Sequence, residues 1–284
     1  MLLGPDAGRG RAQGAALIVE ETIRDAGHDV ADITGSNPAL SKAAARAAVA
    51  EGAERIIVVG GDGMTHLALQ AVAGSDTVLG VVPVGTGNDF ARAFAVGDTG
   101  DVRTATGRAL APPRPIDAIR TDRGWVASVA TAGFSGDVIA RADRLPWPRG
   151  PRRYTVATVL AIARLASREL RLVVDGHGHD VDLTLLAVAN TAWFGGGMQI
   201  CPAARPDDGL LDVTTVGRVG RIELLTYLPR VTSGAHLGHP KTTTYRGRTV
   251  RVECDGLDMW GDGESLGTGS ITFTAIPGAV NLAI

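Results

Sequence analysis

The chain has 284 residues, 45% of them hydrophobic and 20% charged, which supports one large or two smaller packed cores and excludes global disorder. Its 28 Lys and Arg against 30 Asp and Glu leave a net charge of −2, so a protein built mainly to coat nucleic acid is excluded. An aromatic content of 4% is too low for a base-stacking platform.

Two cysteines, Cys201 and Cys254, are too few and too distant for a zinc site or a disulfide framework. The opening Met1-Leu2-Leu3-Gly4-Pro5 lacks the basic start and long apolar run of a secretory signal. The richest apolar runs, 155–166 and 183–194, are too short to span a bilayer. The expected location is cytoplasmic, with no transmembrane segment and at most peripheral contact with the inner membrane face.

In chain order, residues 11–26 read as a helix, 29–34 as a strand and 39–52 as an alanine-rich helix with Ser36 or Asn37 near its start. Residues 55–59 are a β-branched run expected as a buried strand, followed by the tight turn Gly60-Gly61-Asp62-Gly63 and a helix over 64–73. The order repeats with a strand over 78–82, the turn Gly85-Thr86-Gly87-Asn88 and a helix from 89 to 95. Strand, glycine turn and helix, twice in succession, predict a parallel α/β sheet. Residues 98–110 are expected to be helical, and the proline-rich stretch 111–115 breaks the pattern, which divides the chain into domains 1–118 and 119–284. Beyond it, 125–131, 170–174, 180–190, 211–216, 249–254 and 270–275 read as strands, with a hairpin turn at Gly176-His177-Gly178. Only two helices are expected there, 154–168 and 221–233, so this half is predicted to be a β-rich, sandwich-like domain.

A glycine turn at the carboxyl end of a parallel strand lets backbone N–H groups point outward, and the helix after it adds the positive end of its dipole. Phosphate is the natural ligand. Gly60 and Gly85 open two such turns 25 residues apart, at the sheet edge where ligands bind in this architecture. Each turn carries a carboxylate, Asp62 or Asp89, which repels phosphate unless a cation such as Mg²⁺ bridges the two. The pair therefore predicts a Mg-nucleotide site, although either turn alone would be an ordinary strand-to-helix connection. The pattern G-x-x-x-x-G-K-[ST] is absent, and Gly8-Arg9-Gly10 is followed by Gln13 where the dinucleotide fingerprint closes on glycine.

With these turns on the page, the spelling resembles one family. Gly60-Gly61-Asp62-Gly63 and Pro83-Val84-Gly85-Thr86-Gly87-Asn88-Asp89-Phe90-Ala91-Arg92 are similar to the catalytic domain of the diacylglycerol kinase and lipid kinase family, which includes sphingosine kinases. Gly4-Pro5-Asp6-Ala7-Gly8-Arg9-Gly10 resembles that family's Asn-Pro-x-x-Gly loop, with Gly4 in place of Asn. Pro115-Ile116-Asp117, the segment from Pro206 to Asp212 and Asp262-Gly263-Glu264 resemble its later motifs, in family order. Met64 stands where threonine is commoner. The resemblance implies an α/β nucleotide-binding domain, of the kind shared by NAD kinases and diacylglycerol kinases, followed by a β-rich domain. A usual first strand of about five or six residues would not fit before Gly4, so a native start upstream of Met1 is expected.

The resemblance implies ATP and Mg²⁺ as cofactors and a lipid hydroxyl as acceptor, most simply diacylglycerol giving phosphatidic acid. It places Gly4, Pro5, Gly8, Arg9, Gly60, Gly61, Asp62, Gly63, Met64, Gly85, Thr86, Gly87 and Asn88 around the nucleotide. Thr34 would contact it as well; the competing reading is a strand-terminal turn residue. Asp62, Asp89 and Asp117 would form an acidic network, Asp62 and Asp117 holding Mg²⁺, with helix capping as a rival role for Asp89. Glu264 would be the general base, reaching the nucleotide across a cleft between domains; without the resemblance it reads as an exposed hairpin turn. Asp208, with carbonyls of Arg205 and Leu210, would hold a structural Mg²⁺, against the reading of a plain turn.

Arg141, Arg144, Trp147, Arg149, Arg152 and Arg153 crowd around two prolines, a composition that suits an anionic lipid surface and equally a basic surface loop. The expected partner is a lipid substrate at a membrane surface, with no nucleic acid and with a homodimer left open. The alternatives are a kinase for a sphingoid lipid, phosphatidylglycerol or NAD, or a non-catalytic nucleotide- or lipid-binding module. Retention of Asp62, Asp89, Asp117 and Glu264 argues for catalysis.

Overall fold

The structure, a computed structural model, describes residues 1–4, 11–96, 101–148 and 150–284. Pro5, Gly8 and Arg9 of the first loop, and Arg149, lie outside the described residues. The chain divides into two units. The first comprises Met1–Ala118 together with Pro206–Asp208 and Ile276–Ile284, and the second Ile119–Arg205 and Gly209–Ala275. A single cut in the chain therefore does not separate them.

The first unit contains β1 (Leu2–Leu3), α1 (Arg11–Asp25), α2 (Pro38–Ala50), β2 (Arg55–Gly60), α3 (Asp62–Val72), β3 (Val78–Pro83), α4 (Asp89–Ala93), α5 (Val102–Ala109) and most of β4 (Pro113–Thr121). Strands β1, β2 and β3 run parallel, with Leu3 opposite Val59 and Gly60 opposite Pro83. The strand residues are apolar because both faces are covered. Ile57, Val59 and Val82 pack with Ala15, Val19 and Ile23 of α1 and with Ala105 and Ala109 of α5. Helix α3 packs on β2 and β3 and carries α2 against it. The strand expected over 29–34 does not form. That segment runs extended beside β1, tied by Ile33 N–H to Met1 O at 2.9 Å, by the Met1 amine to Ala31 O at 2.7 Å and by Leu3 N–H to the Thr34 hydroxyl at 2.8 Å, and a two-residue β1 gives no ladder to extend.

The second unit holds β5 (Gly124–Val126), β6 (Val129–Gly133), α6 (Phe134–Arg144), α7 (Pro151–Ala163), β7 (Arg168–Val174), β8 (His177–Ala189), the short pair β9 (Trp193–Phe194) and β10 (Met198–Gln199), and β11 (Leu211–Gly217). It continues with α8 (Arg221–Val231), β12 (Thr242–Gly247), β13 (Thr249–Glu253), β14 (Asp258–Gly261), β15 (Glu264–Thr268) and the first part of β16 (Ile271–Ala283). Strands β6, β7, β8, β11, β12, β13, β14 and β15 pair antiparallel with their neighbours. The long strand β8 pairs β7 along its first half and lies between β6 and β11 along its second. Its period-two alternation serves two cores. Leu186 and Val188 face a core shared with Leu172, Val250 and Phe273. Leu185, Ala187 and Ala189 face a second core closed by Phe134 of α6, Ala161 of α7 and Leu224, Tyr227 and Val231 of α8. The result is a β-sandwich with helices on one outer face.

Helix α6 is a third helix where only two were expected. Its first turn includes Gly136, where a Cβ would stand 2.8 Å from Trp260 Cδ1; close packing placed a poor helix former there and masked the helical signal. The hairpin turn also lies one residue earlier than expected. Asp175 and Gly176, at φ 46° and 84°, form the two-residue loop between Val174 and His177, the left-handed pair that an Asp-Gly hairpin needs.

Candidate active site

In the first unit, both glycine turns leave the carboxyl edge of the parallel strands, side by side. Gly60 ends β2 and Gly61 caps α3 from an extended conformation, offering no side-chain oxygen to the amides of the first helical turn. Those amides belong to Asp62 and its successors, so the positive end of α3 opens at the turn. The second turn is pressed against the first. A Cβ on Gly85 would stand 2.5 Å from Gly61 Cα and 2.7 Å from Asn88 Oδ1, so only glycine permits this approach. Gly60 is similarly constrained, because a Cβ there would stand 2.9 Å from Met64 Cβ. Asn88 takes the left-handed conformation at φ 52° and donates from Nδ2 to Gly85 O at 3.1 Å.

The Asp62 carboxylate accepts the Phe90 N–H at 3.1 Å, so the acid of the first turn fixes the backbone of the second beside Asp89. Asp89 is buried in the first turn of α4. Thr86 and Gly63 are exposed at the rim, with Gly61, Gly85, Gly87 and Met64 half-buried between them. Gly4 is buried and donates its N–H to Val59 O at 3.0 Å, leading the chain onto the same edge. The Thr34 hydroxyl accepts the Leu3 N–H at 2.8 Å, so it secures the end of β1 next to Gly4. The glycine turns, Gly4, Thr34 and Asp62 thus converge on one strand edge.

Asp117, in β4, is held by backbone on two sides. Its buried carboxylate accepts the Gly278 N–H at 2.9 Å, and its own N–H donates to Pro206 O at 2.7 Å. It ties three segments of the first unit that are distant in sequence. Among the described residues, no group of three or more His, Cys, Asp or Glu side chains could hold a metal ion by itself, so the expected acidic network of Asp62, Asp89 and Asp117 does not make a self-sufficient cation cage. Asp208 belongs to the first unit, whereas Arg205 and Leu210 belong to the second, all three in the connection before β11.

In the second unit, Glu264 is exposed at the start of β15, opposite Gly261. Asp262 and Gly263, at φ 53° and 87°, form the tight turn between them. The Asp262 carboxylate accepts N–H bonds from Ala127 at 2.7 Å, Ser128 at 2.9 Å and Val129 at 3.3 Å. The same loop is held from behind by Asn190, whose Nδ2 donates to Ala127 O at 2.9 Å. Asp262 is thus the residue that orients the Glu264 hairpin, a role the sequence reading missed. Its signal was an Asp-Gly pair whose aspartate can turn left-handed and still bond neighbouring amides. Tyr154 of α7 lies within electrostatic range of Glu264. Burial first, and then the negative charges of Asp143 and Glu264, push its hydroxyl pKa up.

Two family models cover this arrangement. The diacylglycerol kinase catalytic domain matches residues 1–121, and the YegS C-terminal NAD kinase beta sandwich-like domain matches 128–284. The chain belongs to the diacylglycerol kinase family of lipid kinases. It is 37% identical to the diacylglycerol kinase of Mycobacterium tuberculosis (strain ATCC 25618 / H37Rv), over 99% of this chain and 93% of that protein. It is 33% identical to a Pseudomonas fluorescens protein named "Probable lipid kinase YegS-like", over 83% of this chain and 79% of that one. In fold, it matches a crystal structure of a diacylglycerol kinase from Bacillus anthracis str. Sterne with a TM-score of 0.75 at 16% identity, covering 99% and 94% of the two chains. No helix among the described residues is long and apolar enough to cross a membrane.

Proposed function

We propose that the protein is an ATP- and Mg²⁺-dependent kinase that phosphorylates the free hydroxyl of diacylglycerol, yielding phosphatidic acid. The observation that carries this reading is the pair of interlocked glycine turns with Asp62 at the uncapped start of α3. The residues suit a nucleotide phosphate: glycine leaves the backbone accessible, and the helix dipole favours negative charge. They suit Mg²⁺ as well, since this ion is commonly held by one or two carboxylates together with substrate phosphates and water. The Asp62 carboxylate, which accepts the Phe90 N–H, is the kind of oxygen ligand that Mg²⁺ takes. When bound, ATP supplies the γ-phosphoryl group and Mg²⁺ neutralises its charge.

On this reading, Gly4, Thr34, Gly60, Gly61, Gly63, Met64, Gly85, Thr86, Gly87 and Asn88 shape the nucleotide site, and Asp62 holds the cation. Asp89 adds negative charge beside Asp62, and Asp117 keeps the surrounding segments together. Glu264 would serve as the general base that takes the proton of the acceptor hydroxyl. Asp208 would be the carboxylate of a second, structural Mg²⁺ site. The M. tuberculosis relative named diacylglycerol kinase favours that acceptor.

The test is transfer of labelled γ-phosphate from ATP to a detergent-dispersed lipid panel, beside Asp62→Asn and Glu264→Gln. Labelled phosphatidic acid from the native chain only, with Glu264→Gln slowed about 10²–10⁴-fold, is the expected result. Transfer to another lipid would correct the acceptor. No transfer to any lipid, from folded protein that binds ATP, would overturn the kinase reading.

A further inference from the structure

Helices α7 and α8 each bury one face and expose another that is apolar at helical spacing. On α7, Ala157 and Ala161 are buried, and the opposite stripe is Val156, Val159, Leu160 and Ala163, all exposed. On α8, Leu224, Tyr227 and Val231 are buried, and the opposite stripe is Ile222, Leu225, Thr226 and Pro229, again exposed. The α7 stripe follows the i, i+3, i+4, i+7 pattern of an apolar helix face, turned outward, and the α8 stripe follows the same spacing with Thr226 as its polar member. Val159 is 62% exposed, Ile222 80% and Leu225 55%. The two helices touch and close the same core from outside, so both stripes belong to the same helical layer, and Trp147, 79% exposed, lies in the loop before α7. Apolar patches of this kind mark interaction sites.

Charge identifies the occupant. Residues 144–168 carry six arginines and no Asp or Glu, with Arg144 and Arg152 exposed. Arg221 and Arg230 are exposed on α8, whose one acid, Glu223, is engaged by Lys241 at 2.7 Å. A second copy packed symmetrically on this layer would bring the arginine-rich stretch against itself. An anionic bilayer complements both the apolar stripes and the charge.

We propose that the outer stripes of α7 and α8 form a membrane-docking face that inserts shallowly into an anionic lipid surface. The proposal rests on the lipid-kinase reading only for its purpose; binding itself needs no turnover. The experiment is co-sedimentation of the full chain with vesicles of equal phosphatidylglycerol and phosphatidylcholine, and with phosphatidylcholine alone, beside Val159→Glu and Ile222→Glu. Because both side chains are exposed, the variants should keep the native melting temperature. The native protein should pellet with the anionic vesicles, and each variant should bind about tenfold more weakly. A separate Leu225→Trp variant should shift its emission to the blue on adding anionic vesicles. Absent binding by the native chain, or binding unchanged in the variants, would overturn the proposal. So would variants that merely convert a dimer to a monomer in sedimentation equilibrium, which would assign the face to a second copy. A chain that docks through these stripes yet phosphorylates no lipid would keep this face and overturn the kinase reading instead.

Discussion

Two close contacts govern the site at the scale of single residues. Gly85→Ala would place a methyl carbon 2.5 Å from Gly61 Cα, against backbone that cannot rotate away. The turns must separate, so a stability loss of about 1–3 kcal/mol is expected in urea unfolding, together with weaker nucleotide binding by calorimetry. Asp262→Ala removes the acceptor for the amides of Ala127, Ser128 and Val129. Losing bonds to a charged acceptor costs about 1.5–3 kcal/mol each at most, and the amides can partly recover with water. A net loss of about 2–4 kcal/mol is expected, with kcat falling more than KM because Glu264 loses its support. Rescue of kcat by Asp262→Asn, whose oxygen can still accept, would separate positioning from charge. The two turns were legible in the sequence because a glycine run after a β-branched strand spells them. The Asp262 clamp was not, because it joins residues more than 130 positions apart.

Elements whose signals are local read correctly, and those shaped by distant partners did not. The buried strand over 55–59 and its helix follow from a β-branched run and a glycine turn. Helix α2 follows from Asn37, whose Oδ1 accepts the Leu40 N–H at 3.0 Å, with Pro38 after it. Replacing Asn37 by alanine should cost about 1 kcal/mol, measurable by thermal unfolding. Helix α6 escaped notice because Gly136 answers to Trp260, over a hundred residues away. The segment 29–34 has strand-forming residues and no regular partner, so propensity yielded to context. The functional assignments divide in the same way. Gly60, Asp62 and Gly85 converge as their spacing implies, and the bonds of Asp117 to Gly278 and Pro206 come from the tertiary fold, which no local pattern shows.

At the scale of the whole molecule, stability should respond to pH through His236. Its ring is buried, with Nε2 3.0 Å from Ile200 O, and burial holds its pKa below the ordinary value. The unfolded chain therefore binds a proton at a pH where the folded chain does not. This contribution is intact above about pH 6.5 and is lost as the pH falls below it. The melting temperature should drop between about pH 7.5 and 5.5, and His236→Gln should flatten that dependence.

The first unit is completed by residues that come late in the chain. Asn281 and Leu282 run parallel to Val78 and Leu79, Gly278 bonds Asp117, and Ala279 O accepts the Gly74 N–H at 2.7 Å. Removing Ile276–Ile284 should therefore unfold the nucleotide half, as seen by loss of protection in hydrogen exchange around 78–83. Birth order and folding order then differ. A ribosome adding about 5–20 residues per second finishes Met1–Ala118 well before it releases Ile276–Ile284. During that interval β3 has an open, apolar edge, a template for wrong pairing. Until β16 is made, the nascent β3 lacks the partner that covers this edge in the folded protein.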